Sequence, residues 1–543
     1  MEAHEYTDPV VACHTFELQE NEMRQLDLSG VPSILLVKQS GILRAVGAKC
    51  PHRGAPLAKG VLTRNRVRCP WHGACFNLET GDIENFPGLD SLPCHRVNVD
   101  SRGQVLVQVK RSYLLKHSRI KRMVSRNWQD QRRFVVLGGG PSGAICVETL
   151  RQEGFTGRLT LVCREKHLPY DRIGVMNLLN TGTYTTNLCL REEQFYKDCG
   201  IEVQLGVSAE RLDTNCHILH CTDGKSFPYD KIYIATGYSA TRPKIPGVHL
   251  KNVKTIRDIG DARSIFQMVD KSTHVVCLGS SFMAVEASAN LVARAGRVTL
   301  VARQNVPFKG TLGESIGQRI QELLEENKVE VRVSSGITRI LGNNRGEVTA
   351  VKLLDKSRIP CNLLILGTGC QCNTEFLQQS GIGVNPDGSV DVNDFLQTSV
   401  RNVYVGGDIA NAFILGGFPD RVNISHYGLA QYHGRIAAMN MSGRIAKLEA
   451  IPFFYTSIFG RSFRSAGYGQ YKDVLIDGSL GDLQFVAYFL DYKDTVTSVA
   501  SCGRDPIVAQ FAELIAQRKL LCRCQIADPK ERGSWPTKLK LKN

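Results

Sequence analysis

Arg133-Phe-Val-Val-Leu-Gly-Gly-Gly-Pro-Ser-Gly143 decides the architecture of the chain's largest part. A four-residue apolar strand runs straight into glycines, and a helix over 144–152 follows. Gly138, Gly140 and Gly143 have separate jobs: a tight turn, close backbone approach to a pyrophosphate, and close helix–strand packing. Pro141 in the same turn is a further cofactor-binding candidate, and the helix N-terminus supplies oriented N–H groups for phosphates. The next strand, Arg158-Leu-Thr-Leu-Val162, ends near Glu165, a carboxylate placed to accept from an adenosine ribose.

Working outward, the strand–glycine–helix–strand unit recurs at His274-Val-Val-Cys-Leu278, which leads into Gly279-Ser-Ser281. Three apolar strands end in small-residue turns: Ile232-Tyr-Ile-Ala235-Thr236-Gly237, Leu364-Ile-Leu-Gly-Thr-Gly369 and Asn402-Val-Tyr-Val-Gly-Gly-Asp408. Alone, each is a common turn. Their order and spacing point to two dinucleotide-binding units, with Asp408 able to accept from a ribityl hydroxyl.

Upstream lies a different chemistry. Cys50-Pro-His52 is followed, sixteen residues on, by Cys69-Pro-Trp-His72. Two Cys–His pairs at this spacing suit a [2Fe–2S] cluster with thiolates on one iron and imidazoles on the other. Gly54 and Gly73 let backbone N–H groups approach, and Pro51, Pro56 and Pro70 stiffen the loops. A structural zinc site uses the same residue types, but it normally groups its cysteines as a C-x-x-C knuckle, whereas here they are interleaved with histidines.

The 543 residues exceed one core, and 43% hydrophobic with 22% charged residues is ordinary globular composition. No apolar run approaches the ~18–20 residues of a membrane span. The first 22 residues hold six acids and no arginine, and no hydrophobic signal segment is present. The 18 cysteines lack a framework of paired spacings and read as reduced thiols. The expected location is therefore cytoplasmic. Much of the net charge of +15 sits between Arg111 and Arg133, with Asp130 the lone acid. No RNA motif or recognition helix accompanies this stretch, so nucleic acid is not the expected partner. It reads as a solvated linker or a docking surface for an acidic electron-transfer protein.

These motifs resemble the flavoprotein disulfide-reductase superfamily, in its apoptosis-inducing-factor and oxygenase-coupled ferredoxin-reductase branch. Leu168-Pro-Tyr-Asp-Arg172 is similar to that branch's L-P-Y-x-R segment, whose arginine contacts the flavin. Val422-Asn-Ile-Ser-His426, followed by Gly434-Arg-Ile-Ala-Ala-Met-Asn440, is similar to its segment beside the isoalloxazine. Phe459-Gly-Arg-Ser-Phe-Arg464 through Ala466-Gly-Tyr-Gly469 looks like its C-terminal module. The cluster loops resemble Rieske domains of the low-potential type: Ala55 and Trp71 stand where high-potential members carry a disulfide, and Ala74 offers no hydroxyl to the cluster. This implies a potential near the low end of the range, about −150 mV. A Rieske domain fused ahead of this core resembles the Rieske-containing apoptosis-inducing-factor-like flavoproteins, and that resemblance alone would place the chain in the mitochondrion.

The second nucleotide site departs from the pattern. Gly279 keeps the turn, but Ser281 stands where a glycine should let the pyrophosphate approach. The following strand ends in Ala302-Arg303 without the ribose-binding acid, so Arg303 favours NADPH over NADH by accepting a 2′-phosphate. Glu286 matches a family glutamate near the nicotinamide, but its partner lysine is Asn177 here, leaving Glu286 an unpaired first-turn acid. His426 is the candidate at the flavin edge, with a packing role as the alternative. No C-x-x-C pair lies near either site, which disfavours disulfide reduction.

The expected fold is multidomain: a β-sandwich Rieske domain (1–110), a basic linker (111–131), an α/β FAD domain (132–262 and 386–445) around an NAD(P) domain (263–385), and an α+β module (446–543). The expected function is electron transfer from NAD(P)H through FAD to the [2Fe–2S] cluster and on to a one-electron acceptor protein, with the imidazole edge as the exit. A homodimer is carried as an assembly expectation. A redox-sensing, apoptosis-related interaction protein with little turnover is the alternative from another class. A Rieske oxygenase has no second His-His-carboxylate iron site to support it.

Overall fold

The computed structural model describes residues 5–182, 188–416, 420–529 and 532–539. The N-terminal part is all β. A six-stranded antiparallel sheet runs in the order Val10–His14, Gln104–Gln108, Cys94–Val99, Ile42–Gly47, Ile34–Gln39, Glu22–Leu26. A four-stranded sheet, Val61–Thr63 to Ile83–Asn85 in sequence order, lies beside it.

Two parallel five-stranded sheets follow, as the two glycine turns require. The first is ordered Ile201–Leu205, Arg158–Cys163, Arg133–Leu137, Lys231–Ile234, Val403–Val405. Parallel strands are covered on both faces, which is why Phe134 to Leu137 is an unbroken buried run. Helix α1 (Pro141–Gln152) starts at the glycine turn, and the short helix α2 (Gly174–Thr181) follows the second strand. The second sheet is ordered Val253–Lys254, Leu363–Leu366, His274–Leu278, Arg297–Val301, Val329–Arg332, with helix α3 (Phe282–Leu291) after its central strand. Helix α4 (Tyr427–Met441) returns the chain to the first unit and packs along α1. The C-terminal module is a five-stranded antiparallel sheet covered by helix α5 (Ile507–Ala516). Among the described residues no helix is long and apolar enough to cross a membrane.

The N-terminal domain is not hung on a free tether. Ile145 of α1 belongs to its core, and its Val61 belongs to the core of the C-terminal module. The basic stretch, expected as a solvated linker or a docking surface, is exposed or half-buried along its length and is tied to the protein at several points. The backbone N–H of Val124 donates to Arg151 O (3.1 Å), and that of Asn127 to Thr156 O (2.8 Å). Arg119 pairs with Asp82, Arg126 with Glu202 (3.0 Å) and Arg132 with Asp130 (2.7 Å). Asp82 and Glu202 come from distant segments, which composition cannot reveal.

Burial also sets an acid limit on the fold. His433 in α4 is 3% exposed; its Nδ1 accepts from the Gly407 N–H (3.2 Å) and its Nε2 has no partner. Both ring nitrogens of His95 are buried without partners. Burial pulls both imidazoles down to about 4. The unfolded chain protonates them near 6.5, so their contribution to stability is complete above that pH and is lost as pH falls toward 4. Urea midpoints should therefore drop steeply between pH 6.5 and 4.5. His433→Gln should flatten this slope, and an unchanged slope would refute the assignment.

Candidate functional site

A cavity of about 440 Å³ opens at the carboxyl edge of the first parallel sheet. It brings Gly138, Gly140, Pro141, Glu165, Arg172, Ala235, Thr236, Gly237 and Asp408 onto one wall system. The three glycines meet different surroundings. Gly138 has φ +121°, and a Cβ there would strike the Ala235 carbonyl. Gly143 lies behind the cavity, where a Cβ would strike the Gly138 carbonyl. Gly140 faces open space: a Cβ there would meet only Arg172 Nε, 4.0 Å away. That is a cradle for a phosphate group, set at the N-terminus of α1.

Arg172 pairs with Glu165 and donates to the Tyr170 hydroxyl (2.9 Å), which in turn donates to Glu165 (2.7 Å). Burial pulls the Glu165 carboxyl up, but the Arg172 guanidinium more than offsets this and holds it below the usual range. Asp408 stands across the cavity, 3.7 Å from Arg257, and accepts from the backbone N–H of His426. Burial raises its carboxyl against the pull of both arginines. Arg257 was missed in the sequence, and Tyr170 was read there only as part of the L-P-Y-x-R segment; the cavity shows both in its polar lining.

At the second glycine turn, Gly279 has φ +141° and sits under the Gly367 carbonyl. Ser281 is exposed at the N-cap of α3, and its side chain makes no cap bond. Ala302 is fully buried, while Arg303 is exposed beside Gly336. Glu286 corrects the sequence reading: it lies in the second turn of α3 and is not unpaired. Its carboxylate accepts from the Thr456 hydroxyl (2.6 Å), and burial raises its pKa. Asn177 is exposed on α2. His426 is the N-cap of α4, with Nδ1 accepting from the Leu429 N–H (3.3 Å). Burial lowers its pKa to about 4, so the ring is neutral with its proton on Nε2.

The two cysteine–histidine loops are near copies. Gly54 (φ +75°) and Gly73 (φ +79°) turn each loop, and each cysteine N–H bonds the carbonyl five residues on, at 2.9 Å to Ala55 and 2.7 Å to Ala74. Cys50 Sγ accepts from the N–H groups of His52 and Arg53, and Cys69 Sγ from those of Trp71 and His72. A hydrogen bond shared by the two sulfurs raises Cys50 and lowers Cys69. The His52 and His72 rings meet edge to face at 4.9 Å, and His52 Nδ1 is buried with no partner. Among the described residues, no three His, Cys, Asp or Glu side chains converge on a single ion's position. Zinc needs such a set, whereas a two-iron cluster needs only two protein ligands per iron. The donor set thus fits the cluster.

His52 and His72 are both half-buried. The His72 ring packs on Tyr455 of the C-terminal module at 4.0 Å, and Tyr455 stands 6.5 Å from His426. Gly73 sits so close that a Cβ would lie 2.7 Å from the Phe453 ring. Arg464 donates to the Trp71 carbonyl (2.7 Å). Tyr455 therefore lies between the cluster loops and the flank of the dinucleotide unit, a role invisible in the local sequence.

Fold and site together define a two-dinucleotide oxidoreductase core carrying an iron–sulfur domain in the same chain. Comparison agrees: residues 132–434 match the pyridine nucleotide-disulphide oxidoreductase family, and residues 8–96 match the Rieske [2Fe–2S] domain. The chain belongs to the pyridine nucleotide-disulphide oxidoreductase family, with a Rieske domain ahead of the family core. It is an NAD(P)H-dependent flavoprotein oxidoreductase whose cofactors are FAD and a [2Fe–2S] cluster. It is similar to Apoptosis-inducing factor 3 of Homo sapiens, 36% identical over 534 residues that cover 96% of this chain and 87% of that one. It is also similar to the ferredoxin reductase component of chlorobenzene dioxygenase from Cupriavidus sp. (strain PS12), 27% identical and covering 72% and 94%. The fold matches that seen in the covalent putidaredoxin reductase–putidaredoxin complex, with a TM-score of 0.70, 22% identity, and coverage of 76% of this chain and 98% of that one.

Proposed function

We propose that the chain delivers reducing equivalents from a nicotinamide through its core to its own Rieske domain and then to an external one-electron acceptor. When bound, FAD turns a two-electron hydride donor into a source of single electrons that a [2Fe–2S] cluster takes up one at a time. Gly138, Gly140 and the first turn of α1 would hold the pyrophosphate, Glu165 the ribose, and Asp408 a ribityl hydroxyl. Gly143, Pro141 and the Ala235–Gly237 turn would shape the cavity, and Arg172 would lie against the flavin. His426, neutral and carrying its proton on Nε2, would donate at the flavin edge. Glu286, half-buried and held by Thr456, would face the nicotinamide. Cys50 and Cys69 would bind one iron, and His52 and His72 the other.

The contact of His72 with Tyr455 carries this reading. It supports placing the cluster's histidine edge toward the core as the receiving side. A fused domain held there replaces a diffusing carrier with a high effective concentration.

The division of the chain at residues 110, 131, 262, 385 and 445 is part of the proposal. So is the use of Gly279 and Ser281 as the second phosphate turn. Arg303 should favour NADPH. Arg303→Ala should raise the NADPH KM about tenfold, the equivalent of about 1.4 kcal/mol, and leave that for NADH nearly unchanged. In anaerobic protein, NADPH should bleach the flavin absorbance and then produce a Rieske EPR signal of low average g. A flavin that bleaches while the cluster stays oxidised would refute the route. Negligible turnover with redox-dependent oligomerisation would support the sensing role instead.

A further inference from the structure

The Rieske domain is clamped to the core. Arg68 and Glu513 form a buried ion pair, their side chains 3% and 0% exposed. Gly88 and the Gln431 side chain exchange two hydrogen bonds, at 3.2 and 3.0 Å. Arg191 holds Asp90 (2.8 Å) and Glu148 (3.0 Å) at once. A domain held this way keeps its histidine edge against Tyr455.

A cleft of about 580 Å³ does reach that edge, between the Rieske domain, α2 and the C-terminal sheet. Trp71, His72 and Tyr455 give it aromatic walls. Three guanidiniums, of Arg53, Arg461 and Arg464, line it against the single carboxylate of Asp505. Arg53 is engaged by Asp171 (2.7 Å), and Arg464 by Asp505 (3.1 Å). Arg461 is exposed and has no carboxylate partner among the described residues. Rings that stack and a free guanidinium at the rim select a flat, negatively charged molecule, and the volume suits a small ligand rather than a protein face.

We propose that this cleft binds a small, planar, anionic electron acceptor at the histidine edge of the Rieske domain. This rests on the reading that electrons leave from that domain. One hydride from NAD(P)H supplies two electrons, so two acceptor molecules each gain one electron per NAD(P)H oxidised to NAD(P)⁺ and a proton.

Binding can be read without electron flow. In the oxidised holoprotein, anthraquinone-2,6-disulfonate should quench tryptophan emission saturably, and Trp71→Phe should remove most of that quenching. Arg461→Glu should weaken binding about tenfold, Arg461→Lys should largely preserve it, and added salt should weaken it in the wild type. The cation hexaammineruthenium(III) should not saturate. Equal affinity in wild type and Arg461→Glu, or quenching untouched by Trp71→Phe, would overturn the cleft assignment. EPR separates the two readings. A cluster reduced by NADPH in protein that does not bind the probe here sinks the cleft alone, whereas specific binding beside a cluster that NADPH never reduces sinks the electron route.

Discussion

Replacing Cys69 by serine is expected to abolish the cluster and spare the flavin. Cys69 is fully buried, and its sulfur is held toward the thiolate form by the hydrogen bond from Cys50 and by backbone N–H groups. A serine hydroxyl stays neutral at this position and is a poor ligand for iron, which needs a deprotonated soft donor. Iron and acid-labile sulfide should fall to background, and the Rieske EPR signal should vanish. The dinucleotide cavity draws no wall from the cluster loops, so flavin content and the rate of flavin reduction should match the wild type. Reduction of a one-electron acceptor such as cytochrome c should slow at least tenfold, equivalent to about 1.4 kcal/mol or more in the barrier. If the variant reduces such acceptors at the wild-type rate, electrons bypass the cluster, and the Rieske domain serves as a sensor or an appendage.

Glu513→Ala should be the most damaging single change at the domain interface. It leaves the Arg68 guanidinium buried without its anion, and breaking such a pair costs about 3–5 kcal/mol. Arg68 also donates to the Gly73 carbonyl (2.8 Å) and to Asn85 (3.3 Å), so the second cluster loop loses its anchor together with the interface. The unfolding transition of the N-terminal domain should separate from that of the core and move to lower temperature, and the EPR line should broaden. The double variant Arg68→Met/Glu513→Leu should recover much of the loss, because apolar side chains fill the site without stranding a charge. An unshifted thermal transition in Glu513→Ala would show that the pair does not hold the domains together.

Both predictions come from opposite ends of what a linear reading can reach. The paired cysteine–histidine loops were legible because their chemistry is local: cysteine, proline, histidine and glycine occur in order, twice, and no packing decision is needed to recognise them. The same is true of Gly138 and Gly279, whose positive φ values follow from a strand that must turn at once into a helix. Gly140 and Asp408 were legible through their places at strand ends. Glu286 was half legible: its residue type and helix were right, but its partner was sought at position 177 and stands at Thr456, 170 residues away. The basic stretch was legible as charge, but not its carboxylate partners Asp82 and Glu202 from distant segments.

The sequence by itself therefore determined the two dinucleotide turns, the cluster loops and the order of the domains. Each is written in residues a few positions apart, where backbone sterics and ligand chemistry act directly. Only the tertiary structure decided how the Rieske domain is seated. Arg68 meets Glu513 across 445 residues, and His72 meets Tyr455 between domains. A tyrosine or an arginine reads the same in a sequence whether it is solvated or buried. Its role is set by the shape and charge of the surface that folding brings against it, and here that surface turns the histidine edge inward and leaves a cationic cleft as its opening.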